Sequence, residues 1–514
     1  MLFINPGVYP ESQPVVFRPF TYASFPTAIG YLATTIREKH QIPIDIIDEQ
    51  IDWLDDVKLE AALAKLEEPK LVGISCLTVT AKRTYDISRK IKALDPSITV
   101  VVGGVHATAM PEETLTKTQA DVVVIGEGEL TLCDIYQALL DKTGFDQIAG
   151  VALLKEGKLH KTTPRPLLMD ITEIPPFPYD LFEKNIDRYR DFGTIISSRG
   201  CPFRCTFCSQ RIISGQRYRF LPNDRVLAKL DLLINKYGQK KIFFTDDVFT
   251  INKKRTFSLL DDIMAAGYHK KAHFIVESRG REITEEMVAR LKEANFVSIA
   301  FGFETGSERV MQTLQKGEKV AHNLEAVETC HKGGVGSDAS LIMGFPTETR
   351  EEMRISAKIV HQIPLDGARF NIAIPYPGTQ FYEEENAKGK VINKGDWVNF
   401  SNQHYLMSDD IPYAPDGMSR SELVYRVFVA NLKYTLRFKN IMNLLFRPFM
   451  AGGTVLSMKK NWFLKPSVWW DIGILLAFLS KRYVQIIVKG GILPALKRAL
   501  VPQKEAASLP NQGE

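Results

Sequence analysis

Two separate runs of short, uninterrupted Val/Ile-rich segments alternate with amphipathic stretches, and no other feature limits the fold so tightly. In the first run the candidate strands are 2–5 (LFIN), 44–48 (IDIID), 71–76 (LVGISC), 99–104 (TVVVGG) and 121–126 (DVVVIG). Helical patterns such as 27–40 (TAIGYLATTIREKH) and 81–94 (AKRTYDISRKIKAL) separate them. Strands that are apolar along their whole length must be covered on both faces, and the intervening helices supply that cover. The expectation is an α/β chain whose residues 1–165 form a doubly wound, Rossmann-like parallel sheet. Such sheets bind ligands beyond the carboxyl ends of their strands, where GGVHAT (103–108) and GEGE (126–129) fall.

A proline-rich connector, IPPFPYDLF at 174–182, interrupts the rhythm and marks a linker over 166–190. The alternation then restarts with candidate strands at 194–200, 241–247, 273–279, 298–305, 337–344 and 368–377. One intervening helix, 283–296, has Thr284 as N-cap and Val288 and Leu291 on its apolar face. Six repeats rather than eight predict a partial (βα)6 barrel over 191–400, with chemistry at the carboxyl ends of its strands. From 401 to 514 mostly helical patterns follow, and QKEAASLPNQGE at the end is expected to be disordered.

The first strand of the second run leads directly into RGCPFRCTFCSQ (199–210), with thiols at Cys201, Cys205 and Cys208. Thiolates suit zinc or iron–sulfur clusters. A structural zinc site would need a second knuckle, and Cys76, Cys133 and Cys330 have no partner at ligand spacing. With only six cysteines in 514 residues there is no disulfide framework, which points to a reducing cytoplasm. The N-terminus, MLFINPGVYPE, reads as a strand and loop rather than a signal peptide.

The CxxxCxxC spacing, with an aromatic residue before the last cysteine, closely resembles the signature of the radical S-adenosylmethionine (SAM) superfamily. The resemblance implies that Cys201, Cys205 and Cys208 hold three irons of a 4Fe–4S cluster, leaving the fourth iron for SAM. One electron from the cluster then yields methionine and a 5′-deoxyadenosyl radical. Further segments are similar in order along residues 1–400. FFTDDVFT carries over Thr245, Asp246 and Asp247 towards the methionine amino group. ESRGR and GFETGS carry over Arg279 and Glu304 towards ribose and methionyl groups, and MGFPTET carries over Gly344 and Pro346 on the adenine side.

GGVHATAMPEE followed by DVVVIGEGE resembles the cobalamin-binding domain that precedes the barrel in one class of these enzymes. Gly103, Gly104, His106, Gly126, Glu127 and Gly128 are the implied cofactor contacts. The cobalt-ligating DxHxxG motif is absent, so His106 is not assigned to cobalt. It either hydrogen-bonds the corrin periphery or caps its own loop.

Methylation of an unactivated carbon is the commonest chemistry of that class. Radical ring closure without methyl transfer is the alternative, as in the anaerobic magnesium-protoporphyrin ester cyclase, which has a similar domain order. A non-enzymatic cluster-bearing scaffold is a third reading, and it would not need the run of cofactor-contacting strand ends. No catalytic residue is assigned. Tyr376, in PYPGT, faces the expected substrate region, although a turn accounts equally for Pro375, Pro377 and Gly378. An electron donor of the flavodoxin or ferredoxin kind is the implied partner.

Charge is concentrated near the C-terminus. Between Asn431 and Leu500 there are twelve Lys or Arg against the single acid Asp471, a net +11, whereas the whole chain carries +5. Trp462, Trp469 and Trp470 lie beside Lys459, Lys460 and Lys465, and the apolar run 472–480 is too short to span a bilayer. The pattern suits a peripheral contact with an anionic membrane, which would make a lipid or isoprenoid substrate, such as a hopanoid, a natural inference. The competing reading is a helical subdomain with a basic outer face. No RNA-binding module is recognisable, so no nucleic-acid partner is expected.

Overall fold

The computed structural model describes residues 1–9, 23–189, 191–393, 395, 397–402, 404–406, 408–437, 480–481 and 483–492. The Trp/Lys-rich segment expected at a membrane lies almost wholly outside them. Among the described residues no helix is long and apolar enough to cross a membrane.

The first run of strands forms β1 (Leu2–Asn5), β2 (Asp45–Asp48), β3 (Leu71–Ser75), β4 (Thr99–Gly103) and β5 (Val122–Val124). These pair in parallel in the order β2-β1-β3-β4-β5. Val100, Val101, Val102, Val122 and Val123 are all buried, as expected for strands sandwiched between helices. Two strands absent from the sequence expectation extend this sheet: β6 (Val151–Lys155) and β7 (Lys158–Lys161), antiparallel to each other and, through β6, to β5. Glu156 and Gly157 connect them, both at positive φ (51° and 75°), the geometry of a tight two-residue hairpin turn.

After the connector come β8 (Thr194–Ile195), β9 (Ser198–Arg199), β10 (Arg219–Phe220), β11 (Lys241–Phe244), β12 (His273–Ser278), β13 (Phe296–Glu304), β14 (Gly336–Met343) and β15 (Gly367–Ile372). Six of these make one sheet, ordered β15-β14-β13-β12-β11-β8, all parallel and consecutive, which is an open six-stranded barrel. The expected first strand, 194–200, is broken in two. Its second half, β9, leaves the barrel and pairs antiparallel with β10. The break is electrostatic in origin: Asp246 accepts the Ser197 and Ser198 backbone N–H groups at 2.7 and 2.8 Å and also the Ser197 hydroxyl.

Along β12, Phe274 and Val276 are buried against the outer helices while Glu277 is open to the lumen. On β13 the corresponding lumen positions hold Ser298, Ala300 and Gly302, small residues that leave the interior of the barrel free for ligand. The helix Glu285–Glu293 is capped by Thr284, whose side chain accepts from Met287 N, and buries Val288 and Leu291. The C-terminal helix Arg420–Thr435 closes the far edge. Its Asn431 side chain satisfies the N–H and C=O of Phe370 on edge strand β15 at 3.0 and 2.8 Å.

Candidate active site

The cysteine loop leaves β9 through Gly200, at φ +82°, where an added Cβ would lie 2.3 Å from the Arg217 carbonyl oxygen. Only glycine fits. The loop is then fixed at its centre. Thr206 donates its N–H to Leu314 O and accepts from Phe381 N, both at 3.0 Å. Phe207 packs beside Phe345, ring centroids 5.4 Å apart, in an apolar cluster with Val310, Phe381 and Tyr413. The three thiols are partly accessible, whereas Cys76, Cys133 and Cys330 are buried in the cores.

Burial pushes all three thiols of the loop above their ordinary value, Cys205 to about 12. Their charged environment is asymmetric. At Cys205 the Lys316 ammonium opposes this rise, with Arg279 a weaker ally; at Cys201 and Cys208 the Asp247 carboxylate adds to it. Among the described residues no three His, Cys, Asp or Glu side chains converge on a single ion. Three partly accessible thiols on one loop are a donor set that fits an iron–sulfur cluster. An iron–sulfur cluster would hold the thiols as thiolates in place of their protons.

Beside the loop, Arg279 at the end of β12 lies 3.3 Å from the Phe203 ring centroid and donates to Lys316 O. Its Nε and Nη1 are buried without hydrogen-bond acceptors; Nε faces the Glu318 carboxylate at 3.7 Å, and Nη1 keeps a donor for a carboxylate such as that of SAM. Glu304 ends β13 at φ +60° and receives Lys316 Nζ at 3.0 Å. Lys316 also donates to Gly302 O and lies 3.4 Å from Glu318. Burial opposes its charge, yet Glu304 and Glu318 together raise it above the ordinary lysine value, so it stays an ammonium.

The three residues expected from TDD part company. Asp246 is fully buried and its carboxylate is committed to Ser197 and Ser198, which removes it from direct cofactor contact. Thr245 and Asp247 line the cavity described below. Burial, helped by Asp246, lifts Asp247 to about 6. Glu277, which sequence reasoning passed over, is lifted to about 7 by its enclosure and by Asp247 and Asp246. Gly344, at φ +96°, donates its N–H to Glu348 at 2.7 Å, with Pro346 two residues on; this segment meets the cysteine loop through Phe345.

A cavity of about 410 Å3 separates the carboxyl edge of the N-terminal sheet from the mouth of the barrel. Gly73, Gly103, Gly104, Gly126 and Gly128 form one wall; Arg199, Gln210, Thr245 and Asp247 belong to the other. Five glycines set among apolar side chains such as Leu77, Val105 and Leu132 fit the close approach of a bulky flat ligand such as a corrinoid, and the volume lies within the usual range for small-molecule sites. A larger hollow of about 610 Å3 beside Arg37 and Tyr237 is lined by none of the predicted site residues.

Glu127 lines the cavity, but its carboxylate is held by Arg219 through two bonds of 2.8 and 2.7 Å. Arg199 reaches Glu129 at 2.6 Å and Glu127 at 3.7 Å. Four buried or nearly buried charges therefore clamp the loop 126–129 onto the strand that ends two residues before Cys201.

His106 requires a correction. Expected at the corrin periphery or as a loop cap, it is instead fully buried and turned away from the cavity. Its Nε2 lies 2.8 Å from Tyr85 OH, and its ring meets Trp397 edge-on at 4.9 Å. Trp397 in turn donates to Glu113 at 2.7 Å. Burial lowers His106 to about 4, so it is neutral.

Two family descriptions match the chain: the B12 binding domain over residues 14–136 and the radical SAM superfamily over 195–359. The chain is 35% identical to an uncharacterized methyltransferase of Pyrococcus horikoshii over 73% of its own length and 82% of that protein. It is 25% identical to the anaerobic magnesium-protoporphyrin IX monomethyl ester cyclase of Cereibacter sphaeroides over 75% of the chain and 63% of that protein. Among solved structures it resembles the radical SAM methyltransferase TsrM of Kitasatospora setae, determined with cobalamin and a 4Fe–4S cluster. The TM-score is 0.65, at 16% identity over 84% of this chain and 90% of that one.

Proposed function

Since the chain belongs to the cobalamin-dependent radical SAM enzymes, we propose that it methylates an unactivated carbon of a biosynthetic substrate. The observation that supports this reading most is the single cavity on which the glycine wall of the N-terminal sheet and the cluster side of the barrel both open. A methyl carrier on one wall and a radical source on the other can then act on the same substrate carbon. When bound, the cluster supplies the electron that cleaves SAM, and cobalamin supplies the methyl carrier.

The chain's own residues bind and orient. Cys201, Cys205 and Cys208 would hold the iron–sulfur cluster through their thiolates. The buried Nη1 of Arg279, without an acceptor, suits the carboxylate of SAM, and Asp247, which lines the cavity while accepting from Gln210 and the Gly200 backbone, suits the ammonium. Lys316 keeps the Glu304 carboxylate in place. The Arg199–Glu129 and Arg219–Glu127 pairs fix the spacing of the two cofactor loops.

The 35% identity to a methyltransferase favours methyl transfer over ring closure, for which the relative is 25% identical. Anaerobically reconstituted enzyme, supplied with cobalamin, reductant and methyl-labelled SAM, tests the reading. Both 5′-deoxyadenosine and S-adenosylhomocysteine are expected, and neither from Cys205→Ala. Deoxyadenosine without S-adenosylhomocysteine would turn the assignment to ring closure, and a loaded enzyme that releases neither would end both. The basic segment containing Trp462, Trp469 and Trp470 supports a lipid or isoprenoid acceptor at an anionic membrane. Flotation of the full chain with phosphatidylserine vesicles checks this, and protein left at the bottom at low salt removes it. A one-electron donor of the flavodoxin or ferredoxin class completes the reading.

A further inference from the structure

We propose that Lys316, a buried cation beside the cysteine loop, sets the reduction potential of the iron–sulfur cluster that the loop would hold. The inference rests on the cluster, not on methyl transfer, and its test uses neither substrate nor cobalamin turnover.

The short segment after the helix Glu308–Thr313 runs beneath the cysteine loop, tied to it by Thr206 N donating to Leu314 O at 3.0 Å. Two residues on, Lys316 turns inward and is 4% exposed, an unusual place for an ammonium. It is held from three sides: Gly302 O and Glu304 Oε1 accept from it, and Glu318 lies at 3.4 Å. Glu318 is itself fixed by the Arg281 N–H at 2.9 Å. The lysine is tied to the cysteine loop a second time through Arg279, whose guanidinium lies 3.3 Å from the Phe203 ring centroid and donates to Lys316 O.

Reduction adds one negative charge to the cluster. A fixed positive charge in a low-dielectric surround stabilises the reduced form and raises the potential, whereas a fixed negative charge lowers it. Lys316 and Glu304 therefore pull in opposite directions. Lys316 is a positioning and tuning residue; it takes no part in bond making.

The test is potentiometric titration of anaerobically reconstituted, SAM-free holoenzyme with dithionite and mediators, read by the EPR signal of the reduced cluster. Lys316→Met is expected to shift the midpoint to a more negative potential, Glu304→Gln to a more positive one, and Lys316→Arg to stay near wild type. A purely structural role would move both neutralising variants the same way or leave both unmoved, and either result overturns the proposal. If Lys316→Met fails to load the cluster, Lys316→Gln takes its place: a negative shift supports the proposal and an unchanged midpoint refutes it.

Discussion

Asp246→Ala probes the break between β8 and β9, which places the cysteine loop. The carboxylate accepts two backbone N–H groups, those of Ser197 and Ser198, at 2.7 and 2.8 Å in a fully buried position. Truncation leaves both donors without an acceptor, at about 1–3 kcal/mol each. The Ser197 hydroxyl, which also receives Arg255 Nη2 at 2.5 Å, retains one partner. The two peptide groups together give a loss of about 4 kcal/mol, or about a thousandfold in the opening equilibrium at 1.4 kcal/mol per tenfold. Hydrogen exchange followed by mass spectrometry resolves this locally, without requiring two-state unfolding of a multidomain chain. Peptides spanning 194–200 should exchange about a thousandfold faster, while those spanning 99–103 should not change. Unaltered protection at 194–200 would refute the reasoning, and so would protection kept while SAM binding is lost, since that would return Asp246 to the cofactor.

Replacing Cys201, Cys205 or Cys208 with Ala should each abolish the cluster's visible absorbance after reconstitution, whereas Cys76→Ala, Cys133→Ala and Cys330→Ala should keep it. Loss of the cluster in a folded Cys330→Ala protein would contradict the three-thiol assignment. His106, lowered to about 4 in the folded state against 6.5 unfolded, favours folding in its neutral form. Its contribution is complete above pH 6.5 and falls by about 3 kcal/mol as pH drops towards 4; denaturant midpoints across this range should fall less steeply in His106→Gln. Gly344→Ala forces a Cβ to 2.6 Å from Leu423 Cδ2 at φ +96°, so the thermal midpoint should drop, and the cost combined with Leu423→Ala should be less than additive.

The parallel strands were legible because their signal is local: VVV at 122–124 and LVGIS at 71–75 carry it in adjacent residues. The cysteine loop was legible for the same reason. The β6–β7 hairpin gives a weaker signal: VALLK is apolar, but KLHK beyond the Glu156–Gly157 turn is mostly polar and lies outside the parallel rhythm. Long-range partners were not legible. His106 reads as a corrin-periphery contact or a loop cap because nothing near it in sequence announces that Trp397 returns to cover it. Lys316 sits in a short QKGE segment that resembles a solvated turn, and its burial depends on Glu304 and Glu318 arriving from a strand end and a following loop. Asp246 and Asp247 are adjacent and chemically alike. Only the direction of the backbone N–H groups of Ser197 and Ser198 separates the structural carboxylate from the available one.

The pairing of Arg199 and Arg219 with Glu127 and Glu129 also bears on how such a chain can be recombined. A hybrid joining this barrel to a foreign N-terminal domain would retain both arginines, with side chains 13% and 1% exposed, and lose the carboxylates that neutralise them. Isolated buried charges of that kind cost several kcal/mol, enough to consume much of a domain's stability. The grafting boundary that preserves function is therefore not the proline-rich connector, where the chain is easiest to cut. It lies further out, so that residues 126–129 travel with the barrel they serve.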